Sequence, residues 1–152
     1  MTTTAWLSAA EQRAWRNWLA VHTQLPAALQ RELQQDSGLS WQDFEVLVQL
    51  SEAEEPRARV SDLAQSLQWE RSRLSHHIKR METRELVRRE ECVDDGRGAF
   101  VVLTDKGRSA IEGAAPAHAT MVKRLVFDIL SDSEVQAFET ITAKILGRIS
   151  EL

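Results

Sequence analysis

Hydrophobic residues recur at helical spacing near both ends of the chain. The first such run follows a capping-box sequence, Ser8-Ala9-Ala10-Glu11, and the last follows a second one, Ser131-Asp132-Ser133-Glu134. Another helix is predicted to begin at Thr104-Asp105. Because these terminal helices each carry an apolar stripe with no sequence neighbour to cover it, the stripes must pack against each other or against a second copy. The stripes contain Trp15, Trp18, Leu19, His22, Leu25, Leu29 and Leu33, then Val135, Phe138, Ile141, Ile145 and Ile149.

The middle of the chain predicts a short helix followed by a second helix with a polar outer face. The first spans 60–67, with Ser61 as its expected N-cap, and the second spans 70–82. Steps of about 100° per residue place three apolar side chains of the second helix together and three polar ones opposite them. This order is that of a helix-turn-helix. The apolar side chains are Leu74, Ile78 and Met81, and the polar ones are Ser72, His76 and Lys79.

Two segments of strand composition follow, 86–92 and 99–104, and the glycine-containing segment 93–98 between them predicts a β-hairpin. Gly96 and Gly98 free the backbone around Arg97. An arginine at a hairpin tip suits the narrow, electronegative minor groove of DNA. The alternative is that Arg97 pairs with a neighbouring aspartate in solvent.

The distribution of charge supports a nucleic-acid-binding interpretation despite a net charge of −4. Residues 57–108 contain 12 Lys/Arg and 9 Asp/Glu, whereas the remainder contains 7 and 14. Within 71–80 there are four Lys/Arg, two His and no carboxylate. The basic excess therefore lies on the predicted reading module, where nothing on the second helix's outer face repels phosphate. A solvated helix surface is the simpler alternative for that face alone.

These segments resemble the MarR family of bacterial transcription regulators. The matching stretches are 39–47, 60–64 and 72–82, and the strongest is 95–107, with its aspartate, arginine and Leu-Thr-x-x-Gly exit into a long helix. The resemblance extends over the whole chain and is most specific within 39–107. It implies a mainly α fold of six helices with a small β-hairpin wing, a winged helix-turn-helix.

The resemblance also implies the organisation of the chain. We expect a single domain over 1–152, with a winged helix-turn-helix module at 36–107. The segments 5–35 and 108–152 would form a helical dimerisation region. Such a homodimer would present two reading helices to half-sites of an inverted repeat, roughly 34 to 36 Å apart.

The family resemblance implies a transcriptional repressor or activator whose affinity for double-stranded DNA responds to a small ligand or to oxidation. Ser75 and His76 match the base-reading pair, and Arg73 and Arg80 match flanking contacts. In the wing, Arg97 matches the minor-groove arginine and Asp95 its anchor, while Ser40 matches a phosphate contact. The full expected DNA-binding set is Ser40, Ser72, Arg73, Ser75, His76, Lys79, Arg80, Asp95 and Arg97.

Aromatic residues outside the reading helix are candidates for an effector pocket. An aromatic cleft suits an aromatic or amphipathic small molecule, although each residue also fits an ordinary core position. The candidate pocket residues are Trp15, Trp18, His22, Trp41, Phe44 and His118. The role of Trp69, directly before the reading helix, stays open between packing and DNA contact.

Other functional classes have little support in the sequence. No phosphate-binding loop, nucleophile elbow or metal-ligand spacing is present, so we expect no enzymatic activity, cofactor or metal. The single cysteine, Cys92, has acidic neighbours that disfavour its reactive thiolate, which argues against redox sensing. No apolar run reaches the roughly 20 residues that span a bilayer, and we expect a cytoplasmic protein. The remaining alternative is a winged helix that binds another protein instead of DNA.

Overall fold

Six α-helices and a three-stranded sheet form the part of the chain that the computed structural model describes, residues 5–91 and 99–152. The predicted class, a mainly α winged helix-turn-helix, is confirmed. In chain order the elements are α1 (Ala9–Ser37), α2 (Trp41–Glu52), β1 (Arg57–Arg59), α3 (Val60–Leu67), α4 (Arg71–Thr83), β2 (Val87–Glu91), β3 (Ala99–Leu103), α5 (Asp105–Val122) and α6 (Asp132–Ile149).

Both predicted capping boxes begin helices. The Ser8 and Ser131 side chains each accept a hydrogen bond from the backbone of the glutamate three residues later, which bonds back in turn. Helix α1 continues through Pro26 and ends at Gly38, which takes the left-handed conformation that glycine tolerates best. At its far end α5 widens into a π-helical turn, Lys123–Phe127, before α6 begins.

Helices α2, α3 and α4 surround the main hydrophobic core. Leu47, Leu50, Leu74, Ile78 and Met81 are fully buried, so the predicted apolar face of α4 is confirmed. Each such side chain contributes about 1.5 to 3 kcal/mol relative to exposure. This packing holds the opposite face of α4 toward solvent.

The start of α3 differs from the prediction. The N-cap position is occupied by Arg59 and not by Ser61, and no side chain caps this helix. The physical reason is that strand β1 runs directly into α3, so pairing with β3 fixes the chain before the helix begins.

The sheet has one strand more than the predicted hairpin. Its order is β1-β3-β2, antiparallel throughout, with Ala58 opposite Val101 and Arg89 opposite the same residue on the other side. The predicted turn 93–98, together with Cys92, lies outside the described residues. Both strands that flank it are present, as expected.

Thr104 joins the sheet to α5. Its hydroxyl oxygen accepts a hydrogen bond from the Gly107 backbone and lies 2.6 Å and 2.9 Å from the carbonyl oxygens of Glu85 and Leu86, to which its proton is donated. Gly107 is buried, and a Cβ there would overlap the Leu86 carbonyl oxygen. The Leu-Thr-x-x-Gly motif therefore locks the first turn of α5 against the start of β2.

The terminal helices leave a large apolar surface uncovered in a single subunit. Residues 9–24 of α1 are exposed along their whole length, and in α6 the side chains of Ile145 and Leu146 are 45% and 66% exposed. Contiguous apolar surface of this kind marks an interaction site. Within the described ranges, no helix is both long enough and apolar enough to cross a membrane.

Candidate nucleic-acid interface

Helix α4, the recognition helix, presents a row of polar and basic side chains to solvent. Its exposed members on this face are Ser72, Arg73, His76, Lys79 and Arg80, and Ser75 is half-buried beside them. The neighbouring glutamates, Glu70 and Glu82, lie at the two ends of the helix, which leaves its centre without a carboxylate. This side of the molecule is complementary to a polyanion.

Trp69 packs and supports the recognition helix from its N-terminal side. The indole is partly buried against the main core and packs nearly perpendicular to the His77 ring, with 5.8 Å between the ring centroids. The Arg73 guanidinium lies 4.7 Å above the indole. A guanidinium is attracted to the face of an aromatic ring, so the indole of Trp69 restricts the conformations of the Arg73 side chain. No side chain caps the helix at Glu70.

Arg89 of β2 fixes the wing against the recognition helix. Its guanidinium donates a hydrogen bond to the Ser75 carbonyl oxygen at 2.7 Å and pairs with Glu82 at 3.2 Å. The Ser75 backbone is therefore held by the strand that follows it, in addition to its own helix. This contact sets the distance between the wing and the reading face.

A buried carboxylate connects α2 to the recognition helix. The Asp43 side chain is 1% exposed, and one oxygen accepts hydrogen bonds from the Ser40 backbone at 3.0 Å and from Arg84 at 2.6 Å. Its other oxygen lies 2.9 Å from Nε2 of His77, whose N–H does not point straight at it. Ser40 caps α2 by accepting from the Asp43 backbone. The expected phosphate contact thus belongs to the same network as the buried acid.

The environment keeps Asp43 ionised. Burial by itself would raise the pKa of the carboxyl, but the close approach of His77 Nε2, the hydrogen bonds from Arg84 and Ser40, and the Arg84 charge hold that pKa well below its usual range. Substitution of Asp43 or of one of its partners would destabilise the protein, because it would leave a buried polar or charged group unpaired.

The partner of His77 on its other side is Arg80. The Arg80 guanidinium lies 3.0 Å from Nδ1 of His77. A guanidinium only donates hydrogen bonds, so Nδ1 accepts and the ring proton resides on Nε2, toward Asp43. One imidazole therefore spans the space between a buried acid and an exposed arginine.

At the wing, the two arginines of β1 cover an aromatic ring. Arg57 and Arg59 place their guanidinium carbons 4.6 Å and 5.2 Å from the centre of the Phe100 ring. Both lie on the edge strand of the sheet, where Arg57 also pairs with Glu55 at 2.8 Å, which offsets its charge. The expected wing-tip residues, Asp95 and Arg97, lie outside the described residues.

Three of the six candidate pocket residues come together. Trp41, Phe44 and His118 form a ring cluster, with the Phe44 and His118 centroids 4.5 Å apart, and burial lowers the pKa of His118 so that it favours the neutral form. Trp41 and Phe44 also line an open cleft of about 260 Å³ beside Glu45, whose pKa is raised by burial. The other three candidates project from the exposed half of α1 and do not line this cleft. They are Trp15, Trp18 and His22.

Two functionally placed residues were not identified from the sequence as such. His77 is buried, and its spacing from Leu74, Ile78 and Met81 matches the apolar face of α4. Asp43 forms a capping box with Ser40, which the Ser-x-x-Asp spacing allows. Their pairing across 34 positions has no sequence signal.

Comparison with known proteins identifies relatives of one kind. The model of the MarR family matches residues 37–98. The structure of AbsC, a MarR family transcriptional regulator from Streptomyces coelicolor, is 40% identical and superposes with a TM-score of 0.89 over 98% of this chain and 100% of that one. Sco3205, a MarR family transcriptional regulator from the same organism solved in complex with DNA, is 36% identical, with a TM-score of 0.89 over 96% of this chain and 91% of that one.

A curated relative adds a more distant similarity. The uncharacterized HTH-type transcriptional regulator YdgJ of Bacillus subtilis is 27% identical over 96 residues, which are 63% of this chain and 57% of that protein. The aligned part thus spans little more than half the length of this relative.

Proposed function

The chain belongs to the MarR family, whose members are transcriptional regulators and not enzymes, and we propose that it represses transcription by binding a specific DNA sequence as a homodimer. A small molecule modulates its affinity for DNA. The observation that carries the proposal is the outer face of α4, which is exposed, basic and free of carboxylates at its centre. A structural relative of 36% identity bound to DNA supports the same assignment.

Ser75 and His76 are the proposed base-reading residues. His76 lies at the middle of the exposed face and the half-buried Ser75 lies beside it, with its carbonyl oxygen bound by Arg89. Hydroxyl and imidazole groups form hydrogen bonds with base edges in the major groove, which is wide enough for a helix. Ser72 and Lys79 extend the same face by one turn on either side.

The remaining contacts position the protein on the duplex. Arg73, Arg80 and Ser40 are proposed to bind phosphates, since the first two flank the reading pair and Ser40 lies at the N-terminus of α2. Arg97 is proposed to enter the minor groove, with Asp95 holding it in place.

The proposed dimer uses the uncovered faces of the terminal helices. Ile141, Ile145 and Ile149 form a stripe on α6 that is 45–57% exposed, while α1 exposes Trp15 and Trp18. A second copy would cover both surfaces. Two-fold symmetry would then place the recognition helices at half-sites of an inverted repeat.

The proposed effector is an aromatic or amphipathic small molecule at the open cleft beside Trp41 and Phe44. The cleft is lined by apolar surface with Glu45, Gln49 and Ser66 as its polar groups. Helix α2 contains several residues of this cleft and also Asp43, which contacts His77 of α4. A molecule bound in the cleft would therefore affect a helix that supports the recognition helix. A thermal-shift screen of aromatic compounds on the wild type and on Phe44→Ala tests this, and a shift equal in both proteins contradicts the site.

The experiment that tests DNA binding is selection from a pool of random duplexes, followed by fluorescence anisotropy at several salt concentrations. We expect an inverted-repeat sequence and a linear fall of log affinity with log salt, with a slope of about −0.9 per phosphate contact. If the wild type bound no duplex and the same face bound a protein partner, the alternative role as a protein interaction module would be favoured.

A further inference from the structure

We propose that His77 is a positioning residue that sets the direction of Arg80 toward DNA, and that the buried Asp43 in turn fixes the His77 ring. The proposal rests on the proposed function, because it concerns how a DNA contact is oriented. It assigns a role to the least exposed polar pair of the described residues, Asp43 and His77, which are 1% and 7% exposed.

The geometry gives His77 one acceptor and one donor with separate tasks. Nδ1 lies 3.0 Å from the Arg80 guanidinium, and Nε2 lies 2.9 Å from the Asp43 carboxylate. Since Arg80 cannot accept a hydrogen bond, this arrangement holds only with the proton on Nε2. The carboxylate favours that tautomer, so it keeps the Nδ1 lone pair available to Arg80.

The ring itself has little freedom to move. Trp69 packs nearly perpendicular to it at 5.8 Å between centroids, and Asp43 is anchored by Arg84 and by the Ser40 backbone. Arg80, in contrast, is exposed on a flexible stem, and an unrestrained arginine loses rotamer entropy when it binds a phosphate. A fixed acceptor at Nδ1 reduces that loss before DNA arrives.

Two substitutions separate the two nitrogens of His77. In His77→Asn the side-chain oxygen occupies the place of Nδ1 and accepts from Arg80, but nothing reaches Asp43. In His77→Gln the side-chain amide reaches the place of Nε2 and donates to Asp43, but Arg80 has no acceptor. A purely structural role predicts that Gln preserves function better than Asn, whereas the positioning role predicts the opposite order for DNA affinity.

The test measures the affinity of the full-length variants for the duplex selected by the wild type, with thermal unfolding as the measure of folding. We expect Asn, which keeps an acceptor for Arg80 but loses the contact to Asp43, to bind about threefold more weakly than the wild type and to unfold at lower temperature. Gln should bind about tenfold more weakly, a factor worth about 1.4 kcal/mol. Weaker binding by Asn than by Gln would overturn the proposal.

A double-mutant cycle with Arg80→Ala isolates the coupling. In the wild-type background Arg80→Ala should weaken binding about tenfold and reduce the salt slope by about one contact. In the His77→Gln background it should change affinity less than twofold. Equal losses in both backgrounds would overturn the positioning role alone, and failure of the wild type to bind any duplex would instead reject the proposed function and this inference with it.

Nuclear magnetic resonance of the free protein checks the same contact without DNA. The ¹⁵N shifts of His77 should show Nδ1 as an unprotonated acceptor, and Arg80→Ala should move that signal. A protonated Nδ1 would contradict the geometry on which the proposal depends.

Discussion

At the scale of single residues, the stability of the fold depends on a few positions where a change of one or two atoms has a large effect. Gly107 is the clearest, because the Leu86 carbonyl oxygen occupies the space that a side chain would need. Asp43 is the second, because three separate groups converge on its carboxylate. Gly107 is remote from the proposed DNA surface, whereas Asp43 bonds directly to Ser40, one of the proposed phosphate contacts.

Gly107→Ala should lower the free energy of unfolding by about 3 kcal/mol, since the added methyl overlaps Leu86 and lies 2.8 Å from a methyl carbon of Leu103. Chemical denaturation measures the change. Gly113→Ala, on the same helix with open space around it, is the matched control and should be neutral or stabilising by about 0.5 to 1 kcal/mol. Equal effects of the two substitutions would contradict the close approach.

Asp43→Asn should reduce stability at neutral pH by about 2 to 3 kcal/mol, because the charged partner of Arg84 and His77 is lost. The folded-state pKa of Asp43 is lowered, so its contribution is complete above the ordinary value of 3.8 and is lost as the pH falls through the lower folded-state value. The difference between wild type and variant should therefore shrink in acid. Denaturation across this pH range checks the sign, with the exposed Asp128→Asn as a control that should change little.

At the scale of elements, the recognition helix combines a fully buried apolar side with an outer side that makes few contacts within the protein. Leu74, Ile78 and Met81 anchor it, while Arg89 and Asp43 hold it from two directions. Its proposed base-reading residues are thus presented on a rigid element and not on a loop. Rigid presentation favours discrimination between base sequences.

His76→Ala should relax the sequence preference and weaken binding to the selected duplex by about 1 to 3 kcal/mol, as expected for a lost base contact. Arg97→Ala should weaken binding to many sequences, because a minor-groove arginine depends on groove shape more than on base identity. Competition between selected and random duplexes measures both. Equal losses on both duplexes for His76→Ala would remove it from the base-reading role.

The sequence predicted the elements better than it predicted the connections between them. The recognition helix follows from the helical spacing of its apolar residues, and the terminal helices follow from their capping boxes. Strand β1 was missed because Arg57, Ala58 and Arg59 carry no alternating apolar pattern, and only pairing with β3 makes them a strand. The contact between Asp43 and His77 is tertiary, so no local pattern encodes it.

At the scale of the whole molecule, the uncovered apolar faces are the basis of the proposed dimer. Ile129, Leu146 and Ile149 are 75%, 66% and 57% exposed, which is unusual for side chains of this size. Burial of such a stripe contributes roughly 25 cal/mol per Å² of apolar surface removed from water. Assembly and DNA binding are therefore expected to be linked.

Ile145→Glu should convert the proposed dimer into a monomer and weaken binding to the inverted repeat more than tenfold, because a buried unpaired charge opposes association. Sedimentation velocity gives the mass and anisotropy the affinity. Thr140→Glu introduces the same side chain on the opposite face of α6, where it should change neither. A monomeric wild type, or an unchanged mass for Ile145→Glu, would contradict the proposed interface.

The joint at Thr104 has a mechanical consequence. Thr104 caps helix α5 and bonds to Leu86, directly before β2. The same helix carries His118, about 20 Å further along its axis, in the ring cluster with Phe44. A small sideways displacement of His118 would therefore tilt α5 about its N-terminus, which is fixed to the sheet at Thr104. A molecule bound in the cleft beside Trp41 and Phe44, near one end of α5, would change the tilt of this helix at its other end. In a two-fold symmetric dimer, two such changes would alter the distance between the two proposed DNA-binding surfaces.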